Sequence, residues 1–209
     1  MSIYQEVKII IKLLNLKIDL RQSHKTVIKQ FKKKGDWTWI SSCQKLSEQF
    51  IEKFQDKVDW SRISIYQKLS EQFIEKFQDK VDWCWISHCN KLTEQFIEKF
   101  QDKVYWQGIS RNQILSEQFI EKFQEKVYWE WISIKQKLSE QFIEKFKDKL
   151  IFSLLSKNKR IRISRQYLTH LYKTGQDSLY FTLRKKVGIK DYYKLVEGQV
   201  KKLFIEFEI

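Results

Sequence analysis

The chain contains no proline, and only five of its 209 residues are glycine. Helix breaks at proline and long glycine-rich linkers are therefore excluded, so turns must come from helix caps and short loops. Cysteine is scarce as well: there are three, an odd number unlike the paired set of a secreted, disulfide-stabilised domain. With 42% hydrophobic and 32% charged residues, we expect a folded intracellular protein, with the cytoplasm as the default compartment.

Long apolar segments are missing too. The strongest one, Ile9–Leu16, is too short to cross a bilayer and is interrupted by Lys12. It neither follows a charged segment nor precedes a cleavage site of small residues, as a secretory signal would. We therefore expect neither a transmembrane helix nor a signal peptide.

The formal net charge of +14 is unevenly distributed. Residues 1–45 carry ten basic and three acidic side chains, and residues 151–209 carry thirteen and five. Residues 46–150 carry seventeen and eighteen, so this central region is almost neutral. The positive excess, which could attract nucleic acid, therefore lies in the two flanks.

Repetition is what the sequence has in abundance. The block LSEQFIEKF stands at 46–54, 69–77, 115–123 and 138–146, and LTEQFIEKF stands at 92–100. The period is 23 residues, which is typical of small supersecondary units stacked side by side. Residues 44–60 and 67–83 are identical even where packing leaves the side chain free, which indicates recent tandem duplication. Identity between copies is therefore poor evidence that a surface residue is functional.

The apolar pattern of each unit predicts helices. In the copy at 46–68, Phe50, Phe54 and Val58 fall on one helical face. The glutamates recur on a separate stripe, which we expect to be solvated. One continuous helix is the alternative, but 23 residues advance the face by about 140°, so the apolar stripe would spiral around the rod. A helical hairpin in each unit is therefore favoured.

Two capping residues divide each unit. Ser47 is a good N-cap, and the acidic Glu48 beside it suits the positive end of a helix dipole. A full capping box would need Glu or Gln at the third helical position, where Phe50 stands instead. Asp59 is the second capping residue, so the unit is predicted to contain helices of about twelve and nine residues.

The predicted fold is mainly α: short helical-hairpin repeats stacked as an α-solenoid, with a small α+β C-terminal cap. Residues 1–22 are assigned to a basic and apolar N-terminal cap, 23–156 to about six repeats, and 157–209 to the basic C-terminal cap. Within this cap, alternation at 179–184 and 204–209 predicts strands, and 191–202 predicts a helix. At roughly 10 Å per stacked helix, the array would be about 60 Å long.

Three columns of residues recur at the repeat period, and all are predicted to be core. The small serines are expected to let neighbouring helices approach. The columns are Trp37, Trp60, Trp83, Trp106 and Trp129; Ile40, Ile63, Ile86, Ile109 and Ile132; and Ser41, Ser64, Ser87, Ser110, Ser133 and Ser156.

A second tryptophan occurs in alternate units, as Trp39, Trp85 and Trp131. If these rings are partly exposed, they form spaced aromatic anchors for a partner. The simpler interpretation, which we favour, is that they widen the core.

The basic clusters of the flanks could neutralise phosphates. The alternative is that they are solvated caps that keep the protein soluble, since the terminal units of a repeat array need polar surfaces. The candidate phosphate-contacting residues are Lys32, Lys33, Lys34, Lys157, Lys159, Arg160, Arg162, Arg165, Arg184, Lys185 and Lys186.

No arrangement of residues indicates catalysis, a cofactor or a metal. Cys84 and His88 are four residues apart and could touch one ion, but Cys89 points about 140° from Cys84, and no fourth ligand is evident. Nucleophile motifs, zinc-protease motifs and phosphate-binding glycine loops are missing from the sequence. We therefore expect incidental thiols and a protein that is not an enzyme, although catalysis by an acid pair stays open.

The unit LSEQFIEKFQDKVDWxWIS resembles a tandem repeat of uncharacterised proteins from giant DNA viruses that infect amoebae. The likeness is strong over 40–150, extends to 23–156, and does not include the C-terminal segment. It implies a repeat protein without an assigned activity, located in the host cytoplasm. It implies no catalytic or binding residues.

Our sequence-based hypothesis is a non-enzymatic helical-repeat scaffold that binds another macromolecule, in the first place a protein. The alternative is a nucleic-acid-binding protein that acts through its basic flanks, with the repeats as a spacer. A duplicated relic without a selected partner is the third possibility.

Overall fold

The computed structural model describes residues 2–43 and 45–184, and these residues form fifteen helices and no strand. The prediction of a mainly α-helical repeat protein is therefore confirmed. The helices are α1 (Ile3–Leu13), α2 (His24–Lys34), α3 (Trp37–Cys43), α4 (Glu48–Lys53), α5 (Trp60–Tyr66), α6 (Glu71–Lys76), α7 (Trp83–Cys89), α8 (Glu94–Lys99), α9 (Trp106–Asn112), α10 (Glu117–Lys122), α11 (Trp129–Lys135), α12 (Glu140–Lys145), α13 (Phe152–Leu155), α14 (Arg165–Lys173) and α15 (Asp177–Leu183).

Each repeat is a pair of short helices, as the capping residues predict. The Ser47 hydroxyl accepts a hydrogen bond from the Phe50 N–H at 3.1 Å, and the Asp59 carboxylate accepts one from the Arg62 N–H at 3.1 Å. The first helix is shorter than the predicted twelve residues, because Phe54 leaves the helical region with φ −112°. The chain continues in hydrogen-bonded turns, in which the Val58 N–H donates to the Phe54 carbonyl at 3.0 Å.

The apolar columns form the core. Ile63 and the corresponding isoleucines are fully buried, and the phenylalanines of the first helices are at most 8% exposed. Trp60 is half-buried, packs its ring 5.1 Å from that of Phe77 in the next repeat, and donates its indole N–H to the Gln55 carbonyl. Ser156 departs from its column, since it is only half-buried and its hydroxyl donates to the Ser153 carbonyl.

The chain divides into two compact units, Met1–Gly108 and Ile109–Ile209. In the first unit, α3, α5 and α7 pack consecutively, and α1 packs on α2 and α4. In the second unit, α11, α13 and α15 pack consecutively, and α14 packs on α15. Each unit therefore has the consecutive packing of helix pairs that defines a helical-repeat solenoid.

The predicted strand at 179–184 is wrong, because this segment belongs to helix α15 (Asp177–Leu183). Leu179 and Leu183 are four residues apart and buried with Tyr180, whereas Phe181 is 51% exposed. This is helical spacing, so the apparent alternation came from placing Phe181 on the buried side. The α+β character of the cap is therefore not supported, while the predicted strand at 204–209 and helix at 191–202 lie outside the described residues.

None of the helices in the described ranges is both long and apolar enough to span a membrane.

Candidate functional site

The serine column joins neighbouring repeats through hydrogen bonds. Ser64 is fully buried; its hydroxyl donates to the Trp60 carbonyl at 2.8 Å and accepts from the Asp82 N–H of the next repeat at 2.9 Å. Ser41 and Ser133 bridge their own neighbours in the same way. Sequence reasoning explained this column by close helix approach alone. The hydroxyl in addition satisfies a backbone donor across the repeat boundary.

A column of buried amides, which sequence reasoning missed, makes a second set of contacts. Gln136 is 1% exposed; its amide donates to the carbonyls of Ser110 (3.1 Å) and Gln113 (2.8 Å) and accepts from the Leu115 N–H (3.2 Å). The related buried amides are Gln67, Asn90, Gln113 and Asn158. Four members recur every 23 residues, so the signal was present in the sequence.

The inner half of the glutamate stripe, predicted to be solvated, is partly exposed but hydrogen-bonds to the next repeat. The inner glutamates are Glu48, Glu71, Glu94, Glu117 and Glu140, the first residues of their helices. Glu48 is half-buried and accepts from the Ser70 N–H (2.6 Å) and the Ser70 hydroxyl (3.1 Å) of the next repeat. Glu71 accepts from Thr93 in the same manner (2.5 and 3.2 Å). The capping box that each repeat lacks is thus completed by the preceding repeat.

The other half of the stripe forms exposed ion pairs. The outer glutamates are Glu52, Glu75, Glu98, Glu121 and Glu144, each four residues after an inner one. Glu52 pairs with Lys76 at 2.5 Å and Glu75 with Lys99 at 2.5 Å, and in both pairs each side chain is about half exposed. These lysines lie one repeat further along, so much of the charge of the central repeats is neutralised between copies.

Glu144 is the exception among the outer glutamates. It accepts hydrogen bonds from Lys147, from Gln176 and from the Tyr167 hydroxyl, each at 3.0 Å. Burial raises the pKa of this carboxyl, but the bonds from Gln176, Lys147 and Tyr167 outweigh it and leave the pKa below its ordinary value. Burial and the bond to Glu144 raise the pKa of the Tyr167 phenol. This network ties α12 to α14 and to the turn that follows.

An exposed aromatic surface in the first unit is formed by residues of α7 and the residue before α9. We define it by Trp85, His88 and Tyr105. Trp85 is 39% and Tyr105 38% exposed. The His88 ring stacks on Tyr105 at 5.6 Å and lies 6.1 Å from Trp85, and its Nδ1 is 2.9 Å from the Cys84 carbonyl. A Cβ at Gly108 would stand 2.8 Å from the His88 Nδ1, so glycine makes the room for this ring.

The other two second-position tryptophans are less accessible. Trp39 and Trp131 are half-buried, and the Arg111 guanidinium lies over the Trp131 ring at 4.5 Å from its centroid. Of the three candidate anchors, Trp85 is thus the most exposed. A guanidinium on an indole is a favourable cation–π contact.

The basic loop, residues 157–163, connects α13 to α14 in the second unit and presents four exposed cations. Lys157, Lys159, Arg160 and Arg162 are all exposed, and none of them forms an ion pair within the described part of that unit. Arg165 is the first residue of α14 and is exposed as well.

The remaining basic candidates are spread over other positions. Lys32 pairs with Asp56 at 2.7 Å, and this hydrogen bond lowers the pKa of the Asp56 carboxyl. Lys34 donates to the Lys17 carbonyl at 2.9 Å, whereas Lys33 is exposed. Arg184 lies over the Phe181 ring at 4.6 Å. Lys185 and Lys186 lie outside the described residues.

The thiols near His88 do not assemble a metal site. In residues 2–43 and 45–184, no three His, Cys, Asp or Glu side chains come together in a way that could hold an ion. Cys84 is exposed and Cys89 half-buried. Burial, with the charge of Asp82, raises the pKa of the Cys84 thiol, which keeps it in the less reactive protonated form.

The sequence matches no protein-family profile, no curated protein and no solved structure. The resemblance to repeat proteins of giant viruses stays a prediction, since none of these comparisons bears on it. The candidate function must therefore be argued from the surfaces of the chain itself.

Proposed function

We propose that this chain is a non-enzymatic helical-repeat scaffold that binds another protein through the aromatic surface of its first unit. The architecture supports a scaffold, because stacked repeats present side chains at fixed intervals. The single observation that carries the proposal is the accessible Trp85, beside a stacked and hydrogen-bonded His88. Exposed tryptophan and tyrosine are the residue types enriched at binding hot spots.

A contact in the second unit indicates which side chain of a partner could pack on Trp85. There the equivalent Trp131 is covered by the Arg111 guanidinium at 4.5 Å. Trp85 occupies the same repeat position in the first unit and remains 39% exposed. We therefore expect a partner that places an arginine on Trp85, with Tyr105 providing further ring surface.

The test is a crosslinking pull-down from native cells, performed after nuclease treatment, with the full chain as bait. Trp85→Ala removes the anchor, and Tyr66→Ala is the matched control, because Tyr66 is a 54% exposed ring of the same unit outside the surface. Loss of a hot-spot tryptophan typically costs about 2 kcal/mol, or roughly a 30-fold weaker Kd. We expect that loss for Trp85→Ala, while Tyr66→Ala should bind like the unchanged protein.

Two results would contradict this function. One is a partner that both variants retain equally, since the aromatic surface would then not be the anchor. The other is a turnover screen in which the purified protein converts a small molecule while no protein partner is recovered.

A further inference from the structure

We infer that the basic loop, residues 157–163, is a binding site for the phosphate backbone of nucleic acid. This inference is independent of the protein partner proposed above, because it concerns the second unit and different residues. Lys157, Lys159, Arg160 and Arg162 are exposed within six consecutive positions that contain no acidic residue.

The loop is held in place at both ends. At its start, Asn158 is fully buried, donates to the carbonyls of Ser133 and Gln136 at 2.8 Å each, and accepts from the Arg160 N–H at 2.8 Å. After its end, the Ser164 N–H and hydroxyl both donate to Glu140. The backbone that carries the cations is therefore ordered before a ligand arrives, which reduces the entropic cost of binding.

The same anchoring separates apolar from charged side chains. Ile161 is 3% exposed and Ile163 is half-buried, so the isoleucines point to the core while their basic neighbours face outward. An interfacial membrane site needs apolar side chains that can enter the lipid, and this loop leaves no exposed one. A polyanion in water is the ligand that fits a row of cations without an apolar face.

Phosphate is favoured over carboxylate as the anion. Two of the four cations are arginines, whose planar guanidinium can hold two phosphate oxygens at once. A nucleic acid also releases condensed counterions when its phosphates are neutralised, which a folded acidic protein does to a smaller degree. The loop contains no exposed aromatic residue on which bases could stack, so we expect binding without sequence preference.

The experiment measures binding of the full-length protein to a short labelled duplex and to one of its single strands by fluorescence anisotropy. The variant Lys159→Gln/Arg160→Gln/Arg162→Gln removes three loop charges. The matched control Lys76→Gln/Lys99→Gln/Lys145→Gln removes three lysine charges that are paired with glutamates in the repeats. Both sets are exposed, so both variants should keep the fold, which the helical circular dichroism spectrum checks.

Four phosphate contacts predict that duplex affinity falls roughly 100-fold between about 50 and 200 mM salt. The loop variant should bind about tenfold or more weakly than the control at about 0.1 M salt, with a salt slope smaller by about 2 to 3. Equal binding by the two triple variants would overturn the inference, as would a salt-independent affinity of the unchanged protein. Loop-dependent binding to anionic vesicles or to polyglutamate that equals binding to the duplex would overturn it too.

Discussion

The inner and outer glutamates lie on the same short helices, four residues apart, yet they make different kinds of contact with the next repeat. Glu71 accepts the backbone N–H and the hydroxyl of Thr93, whereas Glu75 on the same helix pairs with the exposed Lys99. The inner contact satisfies the unpaired start of the next helix, and it places a negative charge at the positive end of that helix. The outer contact joins two flexible side chains in water, where an ion pair stabilises little. The register of a charge relative to the neighbouring repeat therefore decides its role.

The buried amides also join neighbouring repeats, but inside the core. We expect their removal to cause the largest loss in the free energy of unfolding. Gln136→Leu removes three hydrogen bonds and leaves the Leu115 N–H and two carbonyls without the amide. We expect a loss of about 3 kcal/mol in the free energy of unfolding, measured by urea unfolding and circular dichroism. The exposed Gln118→Leu is the control and should stay within about 0.5 kcal/mol of the unchanged protein. Similar losses in both variants would mean that the amide column does not hold the repeats together.

Substitution of an inner glutamate should cause the next largest loss in the free energy of unfolding. Glu71→Gln keeps an acceptor for Thr93 but replaces a charge-assisted hydrogen bond by a neutral one. We expect a loss of about 1 kcal/mol in the free energy of unfolding, because ionised acceptors form hydrogen bonds roughly twice as strong. The loss should be nearly the same at about 0.1 and 1 M salt, because both donors on Thr93 are uncharged and salt screens mainly the attraction between two charged side chains. A loss that disappears in high salt would make the inner glutamates no different from the outer ones.

A smaller effect is expected for the outer pair. A double-mutant cycle with Glu75→Gln and Lys99→Gln should give a coupling free energy of about 0.2–1 kcal/mol at low salt. At about 1 M salt the coupling should approach zero, because both side chains are about half exposed and screened. Urea unfolding of the four proteins at the two salt concentrations provides the measurement. A coupling free energy larger than the loss caused by Glu71→Gln would reverse the proposed order.

The sequence was sufficient for features that depend on one helix at a time. Ser47 and Asp59 were predicted as caps from their types, and the burial of Phe50 and Ile63 followed from helical periodicity. Contacts between copies were not predictable in this way. Whether Glu48 hydrogen-bonds to water or to Ser70 depends on how far one repeat is shifted along the next. No pattern within a single unit encodes that shift.

Two further failures have the same physical origin. From the sequence, a polar residue in a turn such as Gln136 is predicted to face solvent. The structure shows instead that its amide bonds to carbonyls of the preceding repeat. Leu179 and Leu183 fit period two as well as a four-residue helical spacing, and only the packing of α15 on α13 and α14 decides between them. Repeat position also fails to predict exposure, because Trp85 and Trp131 occupy the same position and differ in their exposed fraction.

Glu144 is an outer glutamate by register, but its carboxylate accepts hydrogen bonds from three donors. Its pKa is below the ordinary 4.5 in the folded protein, so its ionised form stabilises the fold at neutral pH. That contribution is complete above the unfolded-state pKa and is lost as the pH falls through the lower folded-state pKa. The stability difference between the unchanged protein and Glu144→Gln should therefore be largest near neutral pH and shrink in acid. Urea unfolding over a pH series measures it, with the exposed Glu130→Gln as the control for removing one carboxylate. A difference that stays constant into acid would show that the three donors stabilise Glu144 no better in its ionised form than as a neutral acid.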